Sequence, residues 1–213
     1  MNTYNYFLHQ LKISSNISIA DLIQLDKYLE NPDIIINAVE INNDPSFPAE
    51  RVFELTEDYF YLAVKNIAVY EITGKNTINI KYNSQATPEE ISLFLLGSCL
   101  GVILYQRGFL PFHASSVYIS GKGAIFFTGD SGAGKSTILN ALLQKGYKMI
   151  SDDVNAIKIS EKPLVYPSFP KVKLWQDTAD KLNIDTSALK KISKNYDKYS
   201  KPVIDELFHN EIC

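Results

Sequence analysis

Gly129, Asp130, Ser131, Gly132, Ala133, Gly134, Lys135, Ser136 and Thr137 follow one another and fit G-x-x-x-x-G-K-[ST], the pattern of a phosphate-binding loop. The chemistry follows from the residue types. Glycines let backbone N–H groups turn inward around phosphate oxygens, and the N-terminus of a following helix adds the positive end of its dipole. Lys135 would reach the terminal phosphates of a nucleotide such as ATP, and the Ser136 hydroxyl would ligate Mg²⁺. With Gly at about 7% of residues, a chance match is expected roughly once per hundred chains of this length. The alternative is a Gly-rich turn that happens to carry Lys and Ser.

A bound nucleotide needs a metal and, for transfer to a hydroxyl, a base. Asp152 and Asp153 are the candidates, 17 and 18 residues after Lys135 at the end of a short apolar run. Neighbours on an extended chain point to opposite sides, so one carboxylate can face the metal and the other the acceptor hydroxyl. The bland alternative is a solvated Asp-Asp turn. His113 is expected to approach the phosphates or the acceptor, or else to be a structural histidine; the residues alone leave both open. Trp175, with Tyr166 and Phe169, reads as core. Lys171, Lys173, Lys198 and Lys201 are candidates for a cationic lid, with solvated lysines as the default for each taken singly.

The flanks of the loop supply its positioning elements. Ala124–Thr128 reads as a short buried strand entering it, and Ser136–Gln144 as a helix leaving it, apolar at Ile138, Leu139, Ala141, Leu142 and Leu143. Strand Val117–Ile119 and turn Gly121-Lys122-Gly123 give the entry strand an antiparallel partner. After the helix stop at Lys145-Gly146-Tyr147 come strands at Lys148–Ile150, Val154–Ile159 and Leu164–Tyr166. The return strand is expected close to the entry strand. Ser168–Trp175 reads as irregular or extended, and Asp177–Leu182 as a short helix. The rest, from Asn183, is polar, with a weak helical pattern at Ile204–Phe208.

Upstream, Ser18 is placed to cap a helix from Ile19 to Leu29, ended by Asn31-Pro32. Asn42–Pro48 reads as a loop. Val52–Leu55, Tyr59–Val64, Ala68–Thr73 and Thr77–Tyr82 read as strands, the last two joined through Gly74-Lys75-Asn76 as a hairpin. Thr87-Pro88-Glu89-Glu90 is a capping box that opens an apolar, buried helix to about Gln106, with Gly108 as its stop. Residues 1–86 thus form a small, mostly antiparallel α+β unit without a catalytic constellation, and 87–213 carry the phosphate loop.

Of the 213 residues 46% are hydrophobic and 21% charged, and the net charge is −3, values of an ordinary globular protein. No long basic block is present, which argues against a nucleic-acid partner. The run Ile91–Tyr105 is too short and too rich in Gly and Ser to span a bilayer, so no membrane partner is expected. Met1–Tyr6 lacks the features of a signal peptide. Cys99 reads as a small core hydrophobe, and neither it nor Cys213 belongs to a metal-spacing or disulfide pattern. The expected location is cytoplasmic.

Taken together, His113-Ala114-Ser115, the loop 129–136, Gly146-Tyr147 and Ser151-Asp152-Asp153 resemble the HPr kinase/phosphorylase family. They are closest to its shorter HPr-kinase-like relatives found near peptide-modification genes. Those relatives also show stretches like Leu95-Leu96-Gly97, Gln106-Arg107-Gly108, Tyr166-Pro167 and Lys173-Leu174-Trp175. The resemblance runs from about Phe53 to Phe208. It implies an α/β fold with a phosphoenolpyruvate-carboxykinase-like P-loop core of mixed sheet and helices. It implies Mg²⁺-dependent transfer of the γ-phosphoryl group of ATP to a serine hydroxyl of a small protein or peptide. By position it makes Lys135 the phosphate holder, Ser136 the Mg²⁺ ligand, Asp153 the general base and His113 an active-site residue; Asp152, from its place beside Asp153, is the further metal candidate. Lys198 stands where the family has a lid arginine. The family's further acidic metal ligand has no clear match, Asp177 being a guess.

Relatives continue well beyond the point corresponding to Cys213. The alternative reading is therefore a catalytically incomplete nucleotide-binding regulatory module. An ABC-type ATPase would need an LSGGQ-like signature, which is missing, whereas a small-molecule kinase and a homo-oligomer stay open.

Overall fold

The computed structural model describes residues 2–42, 50–130, 132–193 and 196–213, with backbone alone for Ser193 and Tyr196. The expected loop at Asn42–Pro48 lies, from residue 43 on, outside the described residues. The protein is a strand-rich mixed α/β chain of two compact units, 1–108 and 109–213.

The first unit is a seven-stranded sheet. Its strands are β1 (Tyr4–Leu8), β2 (Leu11–Ser15), β3 (Ile34–Ile41), β4 (Val52–Leu55), β5 (Tyr59–Val64), β6 (Ala68–Thr73) and β7 (Thr77–Asn83). The order is β1-β2-β3-β7-β6-β5-β4, with β3 parallel to both β2 and β7 and the other pairs antiparallel. Alternation drives it: Ala68, Tyr70 and Ile72 on β6 and Ile78 and Ile80 on β7 are buried, while their neighbours are half-exposed or exposed. The hairpin turn places Gly74 and Lys75 at φ +63° and +61° and pairs Thr73 with Thr77.

Helix α1 (Pro88–Gln106) starts at the expected capping box: Glu90 N–H donates to Thr87 Oγ1 at 3.2 Å and Thr87 N–H to Glu90 Oε2 at 3.0 Å. Its middle, Leu95–Cys99, is a π-turn, and Leu95, Leu96, Cys99, Ile103 and Leu104 are buried. The Tyr70 hydroxyl donates to the Ile91 carbonyl at 2.9 Å, and the Arg107 guanidinium donates to the Asp33 carbonyl at 3.2 Å. These ties put α1 in the first unit, so the division falls after Gly108 and not after residue 86. At 19 residues α1 is long and apolar enough to cross a membrane, yet half of it is buried within the protein, which is compatible with a soluble chain.

The helix expected at Ile19–Leu29 does not form. Its backbone groups find partners elsewhere: Ile19 N–H donates to Tyr6 Oη at 2.9 Å, Ala20 N–H to Ser92 Oγ at 3.2 Å, and Leu25 N–H to the Asn5 carbonyl at 2.8 Å. Ile19 and Leu29 anchor the ends of the segment in the core, while Ile23 between them is 64% exposed. A helical stripe would bury Ile23; an irregular strap does not have to.

The second unit opens with a four-stranded antiparallel sheet of β8 (Leu110–Ile119), β9 (Gly123–Phe127), β10 (Lys148–Lys158) and β11 (Leu164–Tyr166), in the order β11-β10-β8-β9. The β8–β9 hairpin is the expected one. The return strand β10, however, pairs with β8 and not with the entry strand β9. Helix α2 (Lys135–Leu143) carries the chain over between them. The two short strands expected on either side of Asp152-Asp153 are one continuous strand, with the aspartates in its middle.

A second sheet, β12-β14-β13, is built from β12 (Lys171–Trp175), β13 (Lys190–Ser193) and β14 (Tyr196–Pro202), with helix α3 (Gln176–Lys181) after β12. The polar tail after Asn183 thus contains a strand pair, and the helical pattern near Ile204 is a single 3₁₀ turn at Asp205–Leu207. Val117, Leu139, Leu143, Met149, Val172 and Val203 form one core cluster. It ties α2 to both sheets.

Candidate functional site

The Gly-rich loop from Gly129 to Gly134 joins the end of β9 to α2. Gly129 sits at φ +152°, and a Cβ there would lie 3.1 Å from the Ala133 Cβ, so the loop cannot close over a larger residue without shifting. Gly134 is the N-cap of α2 at φ +91° and offers no side chain to the first helical amides. Those amides are therefore not occupied by an N-cap side chain, the arrangement that suits an anion. The Lys135 ammonium donates to the carbonyls of Gly129 at 2.7 Å and Asp130 at 2.9 Å. Ser131 lies outside the described residues.

Asp152 lies in the middle of β10. It is buried, and three groups converge on it: Ser115 Oγ donates to Oδ1 at 2.6 Å, Ser136 Oγ to Oδ1 at 3.1 Å and Oδ2 at 3.3 Å, and the Lys173 N–H to Oδ2 at 2.9 Å. Burial pushes its carboxyl above the ordinary carboxylate range, against the opposing pull of the Ser115 and Lys173 hydrogen bonds. Ser136 and Asp152, expected as the metal side, are thus brought into contact. Among the described residues no cluster of three or more His, Cys, Asp or Glu side chains could hold a metal. The oxygen set here is a hydroxyl and one carboxylate.

Asp153 lies at φ +88°, in the left-handed region that few non-glycine residues adopt. Register pairs Asp152 with Ser115, Asp153 with Ala114 and Val154 with His113. Strict alternation would turn Asp153 to the face opposite Asp152. The positive φ breaks that alternation, and the Asp153 carboxylate instead meets His113 Nδ1 at 3.5 Å and the Lys173 ammonium. Burial would raise its carboxyl, but the charge and hydrogen bond of Lys173, with His113 and Lys198 behind them, hold it below the ordinary value. The sequence expectation of two opposed carboxylates is corrected: one aspartate lies under the loop beside Ser136 and the other lines the cleft, both served by Lys173.

The cleft has a volume of about 600 Å³ and is lined by 132–138, His113, Asp153, Lys173, Trp175, Asp177, Thr178, Lys181 and Lys198. The His113 side chain is 58% exposed here and meets Asp153 at the cleft wall. Trp175, read from sequence as core, lines the cleft at 37% exposure, with the Lys198 ammonium 5.2 Å from its ring centroid. The cause is alternation on β12: Val172 and Leu174 take the buried face, leaving Lys173 and Trp175 the other. Lys198, the candidate lid residue, faces Trp175 across the β12–β14 pair. Burial lowers its ammonium pKa, and the nearby charges of Lys173 and Lys135 lower it further. Lys171 and Lys201 are not in the lining, and Lys201 donates to Asn140 Oδ1 at 3.4 Å.

Thr137 lines the cleft, its hydroxyl 3.1 Å from that of Thr178 on α3. Asp177 lines it as well, 3.8 Å from Lys181. Sequence reading underweighted Ser115 and Lys173. Ser115 carried a signal, since it lies two residues from His113 on a strand and so shares its face; Lys173 carried only the alternation of β12. Compared with known proteins, the chain matches no protein-family model and no curated sequence.

Proposed function

We propose that this protein is an ATP-dependent kinase that transfers the γ-phosphoryl group to a serine hydroxyl of a small protein or peptide, on a phosphoenolpyruvate-carboxykinase-like core. The reading is carried by one observation. The hydroxyl that closes the phosphate-loop motif, Ser136, donates to Asp152, while the adjoining Asp153 lines the same cleft with His113. A hairpin-paired entry strand and a crossover return strand in a mixed α/β unit support the proposed core.

The residues fit Mg²⁺: Ser136 and Asp152 offer hard oxygen donors in contact with each other, the set that ion takes alongside substrate phosphates. Bound there, Mg²⁺ would neutralise charge on the phosphate oxygens. The chain supplies the rest. The amides at the start of α2 and the Lys135 ammonium bind the phosphates. Asp153, kept ionised by Lys173, accepts the proton of the acceptor hydroxyl, and His113 orients its other oxygen.

The test is transfer of label from [γ-³²P]ATP with Mg²⁺ to a library of serine-containing peptides. Lys135→Ala and Asp153→Asn are each expected to cut incorporation by about 10² to 10⁴-fold, the usual size of a positioned base or phosphate ligand. Full transfer by both variants would remove the site assignment.

A further inference from the structure

Lys173 is not a solvated surface lysine. Its side chain is 16% exposed, its backbone N–H donates to Asp152 and its ammonium to Asp153. β12 is fixed beneath it: Val172 and Leu174 are fully buried, and Lys173 registers with Ser200 on β14. The ammonium therefore emerges from a rigid element, on the wall of the cleft that also holds Lys135 and Ser136. An ammonium has three donors. Among the described residues Asp153 takes one of them.

Kinase chemistry at this site brings two anions together, the base carboxylate and the phosphoryl group beside it. They repel unless a cation lies between them. We propose that Lys173 is that cation: a further catalytic residue that holds Asp153 with one donor and the transferred phosphoryl oxygens with the others. The inference rests on the kinase reading. In the transfer the bond from the acceptor serine oxygen to the γ-phosphorus forms and the bond from that phosphorus to the β–γ bridging oxygen breaks. The hydroxyl proton goes to Asp153, and ADP leaves with the bond electrons. Lys173 touches the base and the moving group throughout and changes neither its charge nor its partner Asp153. It thereby distinguishes a nucleoside triphosphate from a diphosphate, because only the triphosphate carries the phosphoryl group it holds.

Isothermal titration calorimetry on the full chain with Mg²⁺ reads this directly, using ADP and the non-hydrolysable imidotriphosphate analogue of ATP. Lys173→Met is expected to weaken the analogue about tenfold while ADP stays within about twofold, and Lys173→Arg to restore most of the difference. Equal weakening of both nucleotides, or none, overturns the proposal. Should Lys173→Met fail to fold because Asp153 is left unpaired, the comparison moves to Asp153→Asn against Asp153→Asn with Lys173→Met. There a several-fold loss confined to the analogue is expected, and an unchanged ratio overturns the proposal equally. If the unmodified protein binds neither nucleotide, the kinase reading falls and takes this inference with it. If it binds both and the ratio never moves, Lys173 alone is misassigned.

Discussion

Two strand pairs, one in each unit, differ in what they bury. In the β6–β7 pair the inward residues are Ala68, Tyr70, Ile72, Ile78 and Ile80, and the polar tip of Tyr70 is satisfied by a carbonyl of α1. The β8–β10 pair buries Ala114, Val117, Met149, Ile150, Ala156 and Ile157, and beside them the polar residues Ser115, Ser116, Ser151, Asp152 and Asn155. Each of the polar residues is held by a partner: Ser115 by Asp152, Ser116 by Asn155, Asn155 by the Ala114 carbonyl at 2.6 Å, and Ser151 by the Val154 carbonyl at 2.6 Å. The first pair stabilises through apolar area, which is non-directional. The second spends burial on polar groups, which cost free energy unless every one is bonded, and obtains fixed directions in return. One pair is a scaffold, and the other aims side chains at a loop.

The contrast can be broken from either side. The largest effect belongs to the scaffold: Ile72→Ala, at a fully buried site, is expected to cost about 2–5 kcal/mol in urea unfolding. ADP affinity of the fraction that stays folded should be unchanged; a weakened affinity at full folding would mean that this pair is not a scaffold alone.

Ser115→Ala tests the polar pair. It removes a donor from a buried carboxylate and is expected to cost about 1.5–3 kcal/mol, more than Ser→Ala at an exposed site. A loss under about 0.5 kcal/mol would show that the network does not depend on that bond.

The two aspartates should also give opposite pH responses. Asp152 has a carboxyl raised in the folded state, so the native form binds more protons than the unfolded one above the ordinary value of 3.8, and its contribution falls as pH rises from there. Asp153 has a lowered carboxyl, so its contribution is complete above 3.8 and is lost as pH falls below it. Asp152→Asn should flatten the stability profile above pH 3.8 and Asp153→Asn the profile below it, by chemical denaturation across pH 2.5–7 (chosen to bracket both). The reverse assignment of slopes would contradict the burial pattern.

The smallest change is Gly74→Ala in the scaffold hairpin. A Cβ at φ +63° is strained and lies 3.3 Å from Asn76 Oδ1, so about 1 kcal/mol of stability should be lost with the cleft of the second unit untouched.

Much of this was legible from neighbouring residues. The box Thr87-Pro88-Glu89-Glu90 closes within four residues, and the Gly74-Lys75-Asn76 hairpin sets its own register, so both form as read. The strap at 16–33 was not legible, because its partners Tyr6, Ser92 and Asn5 come from distant elements and outcompete helical hydrogen bonds. The polar β13–β14 strands carry little apolar alternation, so nothing in their own residues announced a pair.

By itself the sequence determined the Gly-rich loop, its flanking strand and helix, and the presence of two aspartates a fixed distance on. These depend on backbone conformations that glycine, a helix start and a short apolar run dictate locally. Tertiary structure decided where each aspartate lies and what it touches. It inserted β8 between the entry and return strands, set Ser115 and His113 opposite the pair, gave Asp153 its left-handed backbone, and brought Lys173 in from a second sheet to bind both. Those are contacts between residues far apart in the chain, and their energies become available only once the sheets have packed.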